Sequence, residues 1–411
     1  MELIVSERLL ADRARAAEEE GRRALPLACS VGPHEGRERV LLARRVWRPH
    51  EPGGAVCLEV RAAPRSIRHP RSWQYLAQQF HPQEPRTAVL WLGRGVETGE
   101  FVGVAKVEAE VEPIRVLRLV GPGLARACGV DFTERHTPSA PELERWSRRI
   151  GALDLQTCLR AWQLRVVIAG EGRMASKVAG TLARWGTPLT LIGPDRVEPH
   201  NLDAGEGLTP ADLGRWKAEA LADHLLRLGT GAPVEAIPVR VQDPEARPAL
   251  ADAELLIGCV DNDAARSFLG RWARRCGLPL LDFGTSVRRE GGEWRAGADV
   301  RLLLPGDGCL LCVGGLANPE APEAPADWRS ARAGSLEELN GCAAGAGLLL
   351  LTQLLSGRLG ESVWGRLELS GHTPWPEFRT MPRSVLPNCA GCAENFAGWD
   401  QPAKPIPGEG N

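Results

Sequence analysis

Two stretches decide the fold: Leu164-Arg-Val-Val-Ile-Ala-Gly170-Glu-Gly172-Arg-Met-Ala175, and after it Leu189-Thr-Leu-Ile-Gly193-Pro-Asp195. An apolar run, two glycines one residue apart and an amphipathic run make a strand, a tight turn and a helix start. The first glycine permits the turn, the second lets phosphate approach the backbone, and Ala175 stands where a third small residue packs helix on strand. The helix N-terminus adds N–H donors and partial positive charge. This is a nucleotide-binding opening. A nicotinamide or flavin oxidoreductase usually places an acid near the end of the second strand, to hold the ribose. Here that position is Gly193, and the nearest acid is Asp195. Chemistry other than hydride transfer is expected.

Working outward, the chain from Leu143 alternates strands and helices. Strands are expected at Leu164–Ala169, Leu189–Ile192, Val234–Pro238, Leu255–Cys259 and Pro279–Phe283, with helices at Ala175–Trp185, Pro210–Leu228, Asp263–Cys276 and Ser335–Leu355. Such alternation with short loops implies an α/β unit: a Rossmann-like, mostly parallel sheet with helices on both faces. Ala317–Arg332, rich in Ala, Pro and Glu, reads as an exposed loop, and residues 396–411 as a disordered tail.

Residues 1–135 read as a smaller α+β domain, with a helix from Ser6 to Arg23 and then short strands at Leu25–Val31, Glu38–Val46, Ala55–Val60, Thr87–Leu92, Phe101–Glu108 and Pro113–Val120. Residues 136–142 read as a linker. The strand–helix unit would then run over residues 143–395.

At 411 residues, two or three domains fit. A net charge of −2 argues against nucleic acid as the main partner. No run of about 18 apolar residues suggests a membrane span, and no export signal opens the chain. A cytoplasmic protein is expected. Eleven cysteines would be a disulfide framework only in a secreted chain. Four of them form two pairs, Cys309-Leu-Leu-Cys312 and Cys389-Ala-Gly-Cys392, and two such pairs can close a tetrahedral, structural S₄ metal site.

Past the glycine turn, the chain resembles the ThiF/MoeB/ubiquitin-activating (E1-like) family over about residues 143–392. Arg145-Trp-Ser-Arg148-Arg-Ile is similar to the family's Arg-Tyr-x-Arg-Gln-Ile. Asp195-Arg-Val-Glu-Pro-His-Asn201-Leu resembles its Asp-x-Val-x-x-x-Asn-Leu. Asp212-Leu-Gly-Arg-Trp-Lys217 resembles its segment ending in a phosphate-binding lysine, and Gly258-Cys-Val-Asp261-Asn262 the loop whose aspartate organises magnesium.

The resemblance implies ATP-dependent adenylation of the C-terminal carboxylate of a ubiquitin-like protein, with ATP and Mg²⁺ at the site and Zn²⁺ on Cys309, Cys312, Cys389 and Cys392. By it, Arg148 reaches the triphosphate of a second subunit in a homodimer, Lys217 and Asn201 contact phosphate, and Asp261 organises the metal ion. Gly170, Gly172 and Asp195 line the nucleotide. An E2-like conjugating protein is a further implied partner, and a bacterial conjugation or antiviral-defence operon the implied setting.

Two positions depart from the family: Gly193 replaces the strand-end ribose acid, and Ala204 replaces an arginine three residues after Asn201. Some members also pass the activated tail to their own cysteine. Cys342 is the nearest candidate, although its apolar surroundings favour a buried core position. Residues 1–135 faintly resemble the JAB/MPN fold but lack its His-x-His. His69 and His81 are only scattered, so that domain would be inactive. A catalytically impaired scaffold and a peptide or small-carboxylate adenylating enzyme are the alternative readings.

Overall fold

The computed structural model describes residues 2–6, 25–34, 37–46, 56–62, 87–92, 101–107, 110–114, 116–120, 126–128, 138–203, 205–276, 278–290, 293–304, 308–316, 336–370, 375–382 and 389. The chain divides into two compact units, Met1–Thr137 and Pro138–Asn411.

The first unit contains strands β1 (Glu2–Ser6), β2 (Leu25–His34), β3 (Arg37–Val46), β4 (Val56–Ala62), β5 (Thr87–Leu92), β6 (Phe101–Val107), β7 (Glu110–Ile114), β8 (Val116–Val120) and β9 (Arg126–Cys128). They form one sheet in the order β7-β6-β5-β4-β2-β3-β1-β8-β9. β1 runs parallel to both β3 and β8. Leu3 and Val5, two apart and hence on one face, are both fully buried. Ser6, expected to open a helix, instead closes β1. The rest of that helix, with His69 and His81, lies outside the described residues.

The second unit opens with three short helices that sequence periodicity did not separate: α1 (Ala140–Arg145), α2 (Ser147–Ala152) and α3 (Leu155–Gln163). α1 begins inside the expected linker because Ser139 and Glu142 close a capping box. The Glu142 carboxylate accepts from the Ser139 N–H at 2.8 Å and from its hydroxyl at 2.7 Å.

Then follow β10 (Val166–Ala169), α4 (Arg173–Trp185), β11 (Leu189–Ile192), α5 (Lys217–Leu226), β12 (Val234–Ile237), α6 (Arg247–Asp252), β13 (Leu255–Gly258), α7 (Asp263–Cys276), β14 (Leu280–Glu290), β15 (Glu293–Leu303), α8 (Glu337–Leu355), β16 (Val363–Ser370) and β17 (Glu377–Thr380). The sheet order is β12-β11-β10-β13-β14-β15-β16-β17. β12 through β14 pair in parallel and β14 through β17 antiparallel. The strand order reverses at β10. The crevice beyond the carboxyl ends of β10 and β13 is where a ligand binds in an open sheet of this kind.

The expected helix Pro210–Leu228 is not continuous. A 3₁₀ turn spans Pro210–Asp212, Gly214 takes φ +82°, outside the helical region, and Trp216 is extended and bridges to Arg196. The helix therefore begins at Lys217.

α8 is the one helix among the described residues long and apolar enough to cross a membrane. Its buried residues, among them Leu339, Ala343, Gly347, Leu351 and Leu354, fall on one helical face. That face packs on β14, β15 and α4. A Cβ on Gly347 would lie 2.3 Å from the Phe283 ring, so the crossing requires glycine. α8 is a core helix.

Candidate functional site

The glycine turn is held from behind. Gly170 adopts φ +104°, and a Cβ there would lie 2.4 Å from the Cys259 carbonyl oxygen. Its N–H donates to the Ile192 carbonyl at 2.8 Å, and the Cys259 N–H donates to the Ala169 carbonyl at 2.8 Å. The ends of β10, β11 and β13 are thus tied together at the reversal point. In front, Gly172 caps α4, and no side chain caps that helix end. A Cβ at Gly172 would meet nothing within 4 Å. The first-turn N–H donors of a 13-residue helix therefore face open space, which suits an anion.

Three charged groups form a chain across this mouth. The Glu171 Oε1 accepts the Asp195 N–H at 2.9 Å. Lys217 donates through its Nζ to Asp195 Oδ2 at 3.0 Å and through its backbone N–H to the Asp195 carbonyl at 2.8 Å. The Lys217 side chain is 12% exposed and that of Asp195 63%. Burial pushes the Glu171 carboxyl up to about 7, and the nearby carboxylates of Asp195 and Asp261 push the same way. Asp261 is exposed at the end of β13, while the next residue, Asn262, caps α7 by accepting the Ala265 N–H at 2.8 Å. Gly170, Gly172, Asp195, Lys217 and Asp261 therefore meet at one set of strand ends. Glu171 escaped the sequence reading because it occupies the variable position between two glycines.

Asn201 closes a 3₁₀ turn with its Oδ1, which accepts the Glu198 N–H at 2.8 Å, leaving its amide NH₂ as the group able to reach a phosphate. Ala204 lies outside the described residues.

Arg148 does not join this cluster. It is exposed on α2, and its neighbour Trp146 donates to the Arg184 carbonyl at 2.8 Å. Arg149 stacks on Trp185, 3.4 Å from the ring centroid. The segment thus packs on the C-terminal end of α4, a helix-length of about 20 Å from the glycine turn.

Cys309, Cys312 and Cys389 are all buried and unoxidised. Cys309 Sγ lies 3.9 Å from Cys312 Sγ and 3.6 Å from Cys389 Sγ. Sulfurs on one tetrahedral metal ion at bond lengths near 2.3 Å sit about 3.8 Å apart, so these three could hold one. Cys392 lies outside the described residues. Cys342, expected to lean toward the core, is instead exposed: α8 turns Ala343 and Ala344 inward and leaves it on the outer face.

The ThiF family model matches residues 146–385, more than half of the chain. The chain belongs to the ThiF family. Among curated relatives, the molybdopterin-synthase adenylyltransferase of Escherichia coli (strain K12) is 25% identical over 231 residues, covering 56% of this chain and 87% of that protein. The adenylyltransferase and sulfurtransferase uba4 of Emericella nidulans is 27% identical over 273 residues, covering 61% of this chain but 53% of its own length. Among solved structures, E. coli MccB with ATP is similar at 19% identity and a TM-score of 0.48, over 61% of this chain and 74% of that one.

Proposed function

We propose that this chain uses ATP to adenylate the C-terminal carboxylate of a ubiquitin-like protein, activating it for conjugation or for sulfur or thioester transfer. The chain is an adenylyltransferase of the ThiF family. One observation carries the residue-level reading. The Lys217 ammonium, at the first position of α5, is drawn by Asp195 to the same strand ends as the open N-terminus of α4.

A carboxylate oxygen attacks the α-phosphorus. The bond from that phosphorus to its bridging oxygen breaks, and pyrophosphate leaves with the electron pair. Both reactants are anionic, so the protein's task is to neutralise and align them. Lys217 and the α4 N–H groups meet phosphate oxygens, and Asn201 offers its amide. Asp261 would hold Mg²⁺, which supplies further charge neutralisation when bound. Asp195 occupies the lysine in the free protein, and the triphosphate competes for the same ammonium.

Arg148, distant from its own chain's turn, serves the turn of a second copy in a homodimer. Cys309, Cys312 and Cys389, with Cys392, hold a structural Zn²⁺. The exposed Cys342 thiol is the candidate acceptor for a thioester, from which an E2-like protein would take the tail. A Cys342→Ser chain should lose any thiol-sensitive adduct with its partner, and an unchanged adduct removes that role.

ATP–pyrophosphate exchange by the full chain tests the activity. Exchange should require a ubiquitin-like protein with a free C-terminal glycine and vanish when that carboxylate is amidated. Exchange driven by a short peptide alone would assign peptide activation instead. ATP binding without exchange on any carboxylate would leave a scaffold. Arg148→Ala and Lys217→Ala chains should each be inactive alone, and mixing them should restore part of the activity if Arg148 acts across the dimer. No restoration would place Arg148 outside the site.

A further inference from the structure

The geometry points to Glu171 as the group that receives the ribose hydroxyls of the bound nucleotide, doing from the glycine turn what an acid at position 193 would do from the end of β11. The inference rests on the ATP site proposed above.

In sheets of this order, the ribose is usually held by a carboxylate about 20 residues beyond the glycine turn, at the end of the second strand. Gly193 offers no side chain there. Its backbone does not demand glycine, because no positive φ occurs at this position. Space does. A Cβ on Gly193 would lie 1.5 Å from Glu171 Oε2 and 2.0 Å from Glu171 Cδ. The Glu171 carboxylate therefore fills the volume from which a strand-end side chain would start. The missing strand-end acid and the acid inside the turn are one exchange of position.

The state of the carboxylate supports a ligand role. Glu171 is 8% exposed. Oε1 is satisfied by the Asp195 N–H, whereas Oε2 makes no hydrogen bond among the described residues. The neighbouring cation, Lys217, is already paired with Asp195. Burying a carboxylate without a direct cationic partner is costly. An acceptor oxygen held rigidly beside an open helix N-terminus fits a hydroxyl donor whose phosphates lie on that helix.

Calorimetric titration of the full chain with ATP, 2′-deoxy-ATP, 3′-deoxy-ATP and inorganic tripolyphosphate tests this. The wild-type chain should prefer ATP over at least one deoxynucleotide by tenfold or more, as expected for a hydrogen bond to a charged acceptor. Glu171→Ala and Glu171→Gln should weaken ATP tenfold or more, erase that preference and leave tripolyphosphate binding unchanged. The double variant Glu171→Ala/Gly193→Asp should recover the preference, while Gly193→Asp alone should weaken ATP binding, because its side chain displaces the Glu171 carboxylate. If Glu171→Ala keeps the wild-type preference, binds ATP more tightly, or loses tripolyphosphate in parallel with ATP, the inference is wrong. If the folded wild-type chain binds no ATP at all, the adenylation reading falls first and takes this one with it.

Discussion

The two halves of the second unit's sheet handle charge differently. In the parallel half, Lys217, Asp195 and Asp261 stand at strand ends. Asp195 is mostly exposed and shares one ion pair with Lys217. Where the sheet turns antiparallel, Asp282 and Arg301 are 1% and 3% exposed and pair at 3.1 Å. Arg301 also reaches Asp299 at 2.8 Å, and Asp299 accepts from Arg366 at 2.9 Å and from the Trp364 indole at 2.8 Å. Burial alone would raise Asp299, but the Arg366 hydrogen bond and the Arg301 charge hold it below its usual range. The buried group is paired mainly within itself, Asp282 with Arg301 and Asp299 with Arg301 and Arg366. The strand-end group is paired less and keeps Asp195 open to solvent. Substitutions in the first should cost stability, and in the second, activity.

The largest expected effect lies in the antiparallel half. If Cys309, Cys312 and Cys389 hold zinc with Cys392, removing the metal removes a tether between segments 80 residues apart. Structural zinc contributes on the order of 10 kcal/mol in small modules. Purified chain should carry one zinc per protomer by elemental analysis, and Cys309→Ser or prolonged chelation should lower Tm sharply. Metal-free, fully reduced chain with wild-type Tm would leave the cluster as packing only. Next is Arg301→Ala, which strands Asp282 without its closest cation. Breaking a buried pair in this way costs about 3–5 kcal/mol, measurable by denaturant unfolding. A loss under 1 kcal/mol would mean that Arg266, 3.6 Å from Asp282, takes over the pairing.

Lys217→Ala reverses the pattern. Its ion pair with Asp195 is largely solvated on one side, and such pairs contribute little to folding. Removing a charge that stabilises a transferring phosphate costs about 10²–10³ in rate. Exchange should fall by that factor while Tm stays within a degree or two. A large drop in Tm would place Lys217 among the structural charges and blur the distinction between the halves.

Legibility in the sequence follows the same division. The parallel strands and their glycine turn were readable because continuous apolar runs and Gly170-x-Gly172 are local signals. β11 and α7 have the bounds read from the sequence. β15, β16 and β17 carry no comparable local signal. In β15 the inward residues Ala296, Ala298, Val300 and Leu302 do alternate, but Gly297, Asp299 and Arg301 between them resemble loop composition. Their partners lie across the sheet, and one chain does not reveal non-local pairing. The helix break before Lys217 is not legible, because a glycine in such a run can sit inside a helix and only the positive φ of Gly214 marks the interruption. Gly193 by itself reads as a lost acid, since its meaning depends on Glu171, 22 residues earlier.

Glu171 is the residue that the comparison does not accommodate, and it supplies the finest test. It is buried like the structural charges, yet at its ligand-side oxygen it is unpartnered like the functional ones. Its folded carboxyl is raised to about 7 from an ordinary 4.5, chiefly by burial. The folded state therefore binds the proton more tightly than the unfolded chain does. The stability gained from that proton is fully present below about pH 4.5 and is lost as pH rises through about 7. The loss is on the order of 3 kcal/mol at most. Denaturant unfolding of nucleotide-free chain between pH 4.5 and 8 should show this decline. Glu171→Gln, which cannot ionise, should flatten it and be the more stable chain at pH 8. A wild-type slope in that variant would show that the carboxylate is solvated, which would return Glu171 to the exposed group and remove the exception.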